Sequence, residues 1–184
     1  ASLLGSDVSF SAPANYNGSE EFTVSVTDGT ETDNQSIIVT VNAVNDAPVA
    51  TAGLSGTTDE DQSTVVALSG SDIDGDNLTF TIGSALNGTL ELNGSLVTYT
   101  PDANYNGSDS FDFTVSDGEY SSTESVTLTV SAVNDAPVLA TVSDVSFDED
   151  GTGSTSLSGS DVDGDDLEFN ITGGSDITAT LDGS

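Results

Sequence analysis

Apolar and polar residues alternate along much of the chain, in short runs that are separated by turn-forming residues. In one run, Phe111, Phe113 and Val115 alternate with Asp112 and Thr114. A period of two residues is typical of strands that have one face on a core and the other in water. No stretch has a convincing helical period. The pattern therefore predicts antiparallel sheets and an all-β fold.

Seven such runs follow one another in the central part of the chain. Asn93-Gly94 lies between two of them and is a strong signal of a tight hairpin. Seven short strands with turns between them predict a Greek-key β-sandwich of the immunoglobulin/cadherin-like kind. We label the strands A to G and place them near residues 47–57, 63–68, 78–82, 89–92, 95–100, 109–115 and 125–131.

The chain repeats itself after 89 residues without an insertion. Four separate segments, which begin at residues 15, 44, 59 and 71, recur at that distance. A fixed period of this kind is the signature of a tandem array. It predicts the C-terminal half of one unit at residues 1–46, a complete unit at 47–135 and the N-terminal half of a third at 136–184.

The amino-acid composition limits the partners, catalytic groups and metal sites that the chain can have. The 184 residues include 32 Asp and Glu but no Lys, Arg or His, so the formal net charge is −32. Nucleic acids and anionic membranes are bound through basic side chains, so we expect neither as a direct partner. Without His, Cys or Lys there is no Ser–His or Cys–His pair, no Schiff-base lysine and no zinc or copper site of the usual type.

The ligand atoms that remain are oxygens of carboxylates, amides, hydroxyls and carbonyls, which are the ligands of calcium. Paired carboxylates also occur in glycosidases. Here, however, the acidic groups recur with the repeat and form no constellation that departs from it. We therefore expect a protein that is not an enzyme.

Several motifs together resemble bacterial cadherin-like tandem repeats, the modules of large surface adhesins. They are the joint VNDAPV at residues 44–49, the acidic loop DIDGD at 72–76, the stretch YTPDANYNGSDSFDFTVSDG at 99–118 and the period near ninety. The resemblance implies an exported bacterial or archaeal protein, outside the cell or on its surface. It also implies calcium between consecutive units. Ala43 and Ala132 stand where the animal linker has its leading Asp, so we expect one or two ions per joint.

Alternate loops of a seven-stranded sandwich lie at opposite ends, so the acidic loops of successive units are expected to meet at the joints. Carboxylates about 4 Å apart repel by roughly 4 kcal/mol per pair at an effective dielectric near 20, and without basic residues only an external cation reverses that repulsion. The predicted ligands at the first joint are Glu20, Asn45, Asp46, Asp72, Asp74, Asp76 and Asp117. Those at the second joint are Glu60, Asp109, Asn134, Asp135, Asp161, Asp163 and Asp165. The alternative is a set of solvated acidic turns.

Two functional interpretations follow. In the first, the chain is an extender or adhesion module of an extracellular surface protein, stiffened by calcium between adjacent repeats. In the second, it is the protomer of an extracellular filament or surface layer. Residues 136–184 carry strands A to D of a unit and residues 1–46 carry strands E to G, so each half is expected to need the other. The two halves would be joined within a longer chain or by strand exchange between identical subunits.

Overall fold

The computed structural model describes residues 2–4 and 7–181, with side chains for residues 7–181. Regular structure in these ranges is β-strand, which confirms the all-β prediction. The strands are β1 (Ser2–Leu4), β2 (Asp7–Ser9), β3 (Gly18–Thr27), β4 (Thr32–Val41), β5 (Val49–Ala50), β6 (Ser55–Asp59), β7 (Thr64–Ala67), β8 (Gly70–Ser71), β9 (Thr79–Ile82), β10 (Gly88–Asn93), β11 (Leu96–Pro101), β12 (Gly107–Ser116), β13 (Ser121–Ser131), β14 (Val138–Leu139) and β15 (Gly159–Ser160). No helix in the described part of the chain is long and apolar enough to span a bilayer.

Strands β5 to β13 form an immunoglobulin/cadherin-like sandwich, as predicted. One sheet has the order β6-β13-β12-β9 and the other the order β10-β11-β7. Neighbouring strands are antiparallel, except that β6 runs parallel to β13. Some strands that follow each other in the chain, such as β9 and β10, lie in different sheets, as in the Greek-key connectivity expected of such a sandwich.

The predicted strand A near residues 47–57 is interrupted. Its first part, β5, pairs with β8 in a separate two-stranded sheet, and its second part, β6, pairs with β13 in the four-stranded sheet. Gly53 lies between them with a φ of +77°, in the left-handed region that glycine adopts most easily. The alternation of apolar residues cannot reveal such an interruption, because it is fixed by pairing with different strands of the fold.

The core lies between the two sheets, and its members are the apolar residues of the alternating runs. Tyr99, Val115 and Val126 are fully buried, and Phe113 is 1 % exposed. Burial of side chains of this size stabilises a fold by about 1.5–3 kcal/mol each. The inward period of two in β12 and β13 therefore supplies most of one wall of the sandwich.

The segments on either side of the sandwich have less structure. Before it, β1 pairs with β2 and β3 pairs with β4, each as an antiparallel hairpin. After it, β14 pairs with β15, and residues 140–158 and 161–181 contain no strand. The repeat predicts strands A to D in residues 136–184. The strands E to G against which these would pair lie in residues 1–46, which are separated from them by the whole sandwich.

Candidate metal centres at the two joints

An acidic loop follows β15 at the second joint. One carboxylate oxygen each from Asp161, Asp163 and Asp165 lies within 4.8 Å of the other two. Oδ1 of Asp161 accepts hydrogen bonds from the backbone N–H groups of Asp163 (3.0 Å) and Asp165 (3.2 Å). This is a local turn closed by an Asp side chain, and Gly164 provides its left-handed residue, with a φ of +79°. The sequence thus folds three carboxylates into one small loop.

Asp135, in the linker, connects this loop to the sandwich. Its N–H donates to Oδ2 of Asp163 at 2.6 Å. Its own Oδ2 is buried and has no hydrogen-bond partner among the described residues. Burial raises the pKa of the Asp135 carboxyl, and the charges of Asp163, Asp61, Glu60 and Asp161 raise it further. A buried oxygen without a donor, surrounded by four other carboxylates, is unfavourable unless a cation is present.

The other side of the second joint is the loop between β6 and β7. Glu60 is 4 % exposed, and its Oε1 accepts the N–H of Val133 in the linker at 2.5 Å. Its backbone N–H donates to Ser131 O at 2.9 Å. Asp61 has a φ of +60° and accepts the N–H of Asn104 at 3.1 Å. These bonds fix both acidic residues against the start of the linker.

The first joint repeats the same loop. Oδ1 of Asp72 accepts the N–H groups of Asp74 (2.9 Å), Gly75 (3.0 Å) and Asp76 (3.3 Å). One carboxylate oxygen from each Asp of this loop lies within 4.8 Å of the others. Asp46 N donates to Oδ2 of Asp74 at 2.8 Å, and Oδ2 of Asp72 is buried without a partner in the part of the chain that the structure describes. The hydrogen bond between linker and loop is therefore the same at both joints, whereas the unpartnered oxygen belongs to the loop at the first joint and to the linker at the second.

Asn45 and Asp117 add to the first joint. Asn45 Nδ2 donates to Oδ2 of Asp117 at 3.0 Å, which ties the linker to the turn between β12 and β13. The pKa of Asp117 is lowered, above all by the backbone N–H of Tyr120, with burial opposing and the N–H of Glu119 and the Asn45 amide adding to the effect. Asp117 is therefore held as a carboxylate that already has several donors.

Three of the predicted ligands lie in other surroundings. Glu20 accepts the hydroxyl of Tyr16 at 3.1 Å, in an apolar groove that also contains Phe22. Asn134 turns its amide back onto the carbonyl of Asp135, at 2.8 Å. Asp109 is 8 % exposed and belongs to a network inside the sandwich.

Four donors surround the carboxylate of Asp109. Oδ1 accepts from the N–H groups of Leu86 (3.2 Å) and Ser110 (2.8 Å), and Oδ2 accepts from Asn87 N–H (2.9 Å) and the Tyr99 hydroxyl (3.0 Å). Burial raises the pKa of Asp109, but these hydrogen bonds outweigh it and the pKa is lowered. None of the four donors belongs to the linker or to an acidic loop, so this carboxylate fastens the segment between β9 and β10 to β12.

Asp61 is the residue at the second joint that the sequence analysis left out of the ligand set. It stands beside Glu60, and its counterpart Asp150 has the same left-handed backbone, with a φ of 64°. The acidic segment itself was recognised from the repeat. Which of its carboxylates faces the linker depends on that backbone turn, which the sequence does not display.

Residues 45–131 match the family model described as Bacterial Ig domain. This central part of the chain is similar to bacterial Ig-like domains. Domains of this family typically occur on exported or surface proteins. No curated protein matches the chain in a sequence search.

Similar solved structures include a glycoside hydrolase, a protocadherin and a pair of titin domains. Endo-fucoidan hydrolase MfFcnA4 from glycoside hydrolase family 107 is 25 % identical over 66 % of this chain and 20 % of its own, with a TM-score of 0.39. Human protocadherin-24 EC1-2 is 16 % identical over 63 % and 62 %, with a TM-score of 0.42. The titin domains z1z2 in complex with telethonin are 16 % identical over 62 % of each chain, with a TM-score of 0.35. The chain spans about a fifth of the fucoidan hydrolase.

Proposed function

We propose that the chain is a structural and adhesion module of an exported surface protein, in which Ca²⁺ at each joint holds consecutive Ig-like units in line. The observation that carries this proposal is Oδ2 of Asp135, which is buried without a hydrogen-bond partner among the described residues and lies close to four other carboxylates. At the first joint, Oδ2 of Asp72 in the acidic loop is buried without a partner among the described residues. Two such atoms, one per joint, favour a bound cation over a solvated acidic turn.

The donor set fits calcium better than other metals. The second joint offers carboxylates from Glu60, Asp61, Asp135, Asp161 and Asp163, and Ca²⁺ takes about 6–8 oxygen ligands in flexible geometry. Linker carbonyls and water would complete the shell. Mg²⁺ prefers a stricter octahedron and gives up its own water reluctantly, so we expect it to bind more weakly.

A cation at this place would act as a clamp. Glu60 and Asp61 belong to the Ig-like domain, Asp135 to the linker, and Asp161 with Asp163 to the following unit. In their charged forms these groups repel one another and drive the units apart. Because the chain has no Lys or Arg, it contains no internal countercharge. One divalent ion shared by all three segments replaces the repulsion by attraction and stiffens the joint.

The proposed role needs no catalytic step, since the chain lacks the His, Cys and Lys side chains on which most acid–base and nucleophilic mechanisms depend. The partners that we propose are adjacent units of the same kind. A net charge of −32 disfavours nucleic acids and anionic membrane surfaces. An extracellular location fits this picture, because millimolar calcium outside cells suits sites of modest affinity.

The decisive experiment compares the chain in calcium, in magnesium and in EDTA. Small-angle scattering should give a larger maximum dimension in calcium than in EDTA. Thermal unfolding should also occur at a higher temperature in calcium, because a ligand at a hundred times its Kd stabilises the folded state by about 2.7 kcal/mol. Asp163→Asn should remove most of both effects. Asp112→Asn, on the exposed face of β12, is the matched control and should respond to calcium like the unmodified chain. The same dimension and unfolding temperature in calcium and EDTA would contradict the clamp.

A further inference from the structure

Four Asn-Gly dipeptides occur in the chain, and the fold constrains them to different degrees. In this dipeptide the backbone nitrogen of the glycine can attack the side-chain amide of the asparagine, because glycine has no Cβ that hinders the approach. All four offer the same pair of reacting groups, so their surroundings in the folded chain decide which pair reaches the geometry of attack. The four asparagines are Asn17, Asn87, Asn93 and Asn106.

Asn93-Gly94 lies at the tip of the β10–β11 hairpin. Asn93 is the last residue of β10 and pairs with Leu96, the first residue of β11. Asn93 and Gly94 are both exposed, and Gly94 has a φ of +64°. Among the described residues, neither the side chain of Asn93 nor the N–H of Gly94 has a hydrogen-bond partner. Both reacting groups therefore face solvent.

The tip of this hairpin can rearrange without disturbing the sheet. Attack requires rotation about the Cα–C bond of Asn93, which disturbs only the closing pair with Leu96. Exposed turns open locally at a much smaller free energy than the strands of a core. On the far side of the turn, the carbonyl of Ser95 accepts the N–H of Leu68 at 2.7 Å. This bond keeps the hairpin attached next to β7 while Asn93 rotates.

Asn87-Gly88 is fixed by three hydrogen bonds to the backbone of Asn87. Its N–H donates to Oδ2 of Asp109 at 2.9 Å, and its carbonyl accepts the N–H of Asp102 at 2.8 Å and the hydroxyl of Tyr99 at 3.2 Å. A Cβ on Gly88 would lie 2.5 Å from the Tyr99 ring, so the backbone of this glycine packs against the ring. Rotation at Asn87 would break these contacts together.

Asn106-Gly107 is constrained at the start of β12. Gly107 pairs with Val130, and in the alternation of the ladder its N–H faces β13, so the attacking nitrogen already has a partner. The hydroxyl of Tyr105 donates to the carbonyl of Ser108 at 2.7 Å and bridges the glycine. Asn17-Gly18 occupies the same position at the start of β3, 89 residues earlier. Only the pair in the β10–β11 turn lacks such constraints among the described residues.

We propose that Asn93 is a site of spontaneous deamidation and that it converts ahead of the other three asparagines. The backbone nitrogen of Gly94, after losing its proton to solvent, forms a bond to Cγ of Asn93. The bond from Cγ to Nδ2 then breaks, and ammonia leaves with a proton from solvent. The product is a cyclic succinimide. Water opens this ring at Cγ to give Asp, or at the main-chain carbonyl to give isoaspartate. Water is the only co-reactant, and nothing is oxidised or reduced.

The two products affect the hairpin differently. Both add a carboxylate to the tip, but isoaspartate also lengthens the main chain by one carbon. A tight turn tolerates little change in its backbone, because the closing pair of Asn93 and Leu96 fixes the distance that the turn spans. The extra carbon should disrupt this pair and weaken the bond between Ser95 and Leu68. Isoaspartate is therefore expected to lower the Tm of the domain, whereas Asp is not.

The test incubates the whole folded chain in neutral buffer and follows each dipeptide by mass spectrometry. The chain offers trypsin no Lys or Arg, so a protease that cleaves after Asp and Glu is used, which leaves the four dipeptides in the separate peptides 8–20, 77–91, 92–102 and 103–109. Replacement of NH2 by OH raises the mass of a converted peptide. Peptide 92–102 should convert at least about tenfold faster than 77–91 and 103–109, equivalent to about 1.4 kcal/mol of additional opening free energy in the slower segments. In urea the four rates should converge.

Asn93→Asp is the matched control for the products, since it adds the charge without the extra main-chain carbon. Freshly prepared Asn93→Asp should have the Tm of the fresh unmodified chain, whereas the incubated unmodified chain should have a lower one. Equal conversion of peptides 77–91 and 92–102 in the folded chain would overturn the assignment of the site. An incubated chain that has the Tm of fresh Asn93→Asp would overturn the effect of the lengthened turn.

Discussion

Asp109→Asn tests two roles for this residue. The sequence predicts a metal ligand, whereas its contacts indicate a carboxylate that stabilises the domain through internal hydrogen bonds. Each carboxylate oxygen accepts two hydrogen bonds, so the amide nitrogen of Asn faces two donors wherever it is placed. A buried donor left without an acceptor costs about 1–3 kcal/mol. Since the backbone donors are only partly buried, we expect a loss of about 3 kcal/mol in the free energy of unfolding. This corresponds to a fall of at least about 10 °C in Tm for a domain of this size.

Thermal and urea unfolding followed by far-ultraviolet circular dichroism measure the loss, in EDTA so that no metal contributes. Asp112→Asn, on the exposed face of the same strand, is the control and should stay within about 0.5 kcal/mol. The calcium affinity of Asp109→Asn should equal that of the unmodified chain. An unchanged unfolding midpoint in EDTA together with weakened calcium binding would refute the reasoning and return Asp109 to the ligand set.

The pH dependence of the same variant has a definite sign. The pKa of Asp109 is lowered in the folded state, so its carboxylate stabilises the fold above the unfolded pKa of about 3.9. That stabilisation is lost as the pH falls through the lower folded pKa. The difference in unfolding free energy between the unmodified chain and Asp109→Asn should therefore shrink below about pH 4. A constant difference down to pH 2 would show that ionisation of this carboxyl contributes little.

Three further substitutions, two of them paired with a control, test the core and the second joint. Phe113→Ala should cost about 3–5 kcal/mol in urea unfolding, because the side chain is 1 % exposed, whereas the outward Val65→Ala should cost less than about 1 kcal/mol. Gly88→Ala should cost about 1–3 kcal/mol, because its Cβ would lie 2.5 Å from a backbone oxygen and an aromatic ring, and Gly83→Ala, with 3.6 Å to its nearest neighbour, should cost less. Asp61→Asn should lower the calcium affinity in calorimetry without changing the Tm in EDTA; equal calcium affinity would remove Asp61 from the site.

Most strands of the domain could be predicted from the sequence, because the alternation that marks a strand is a pattern of neighbouring residues. In β12, every second residue from Phe111 to Val115 is buried, which is the alternation read from the sequence. The interruption of strand A at Gly53 was not predicted, because it depends on β5 and β6 pairing with strands in two different sheets. The absence of strands from residues 161–181 was not predicted either, because a strand needs a partner edge as well as a suitable pattern.

By itself, the sequence determined the all-β class, the 89-residue repeat, and the clustering of Asp72, Asp74 and Asp76 in one loop. These features depend on residues close together in the chain or on their recurrence along it. Only the tertiary structure decided which acidic side chains meet. Asp109 binds donors 22 and 23 residues away and is drawn into the core, and Asp61 binds Asn104, 43 residues away, and is held at the joint. The position of a carboxylate in a loop depends on which distant hydrogen-bond donors lie near it in the folded protein. Tertiary packing determines which donors those are.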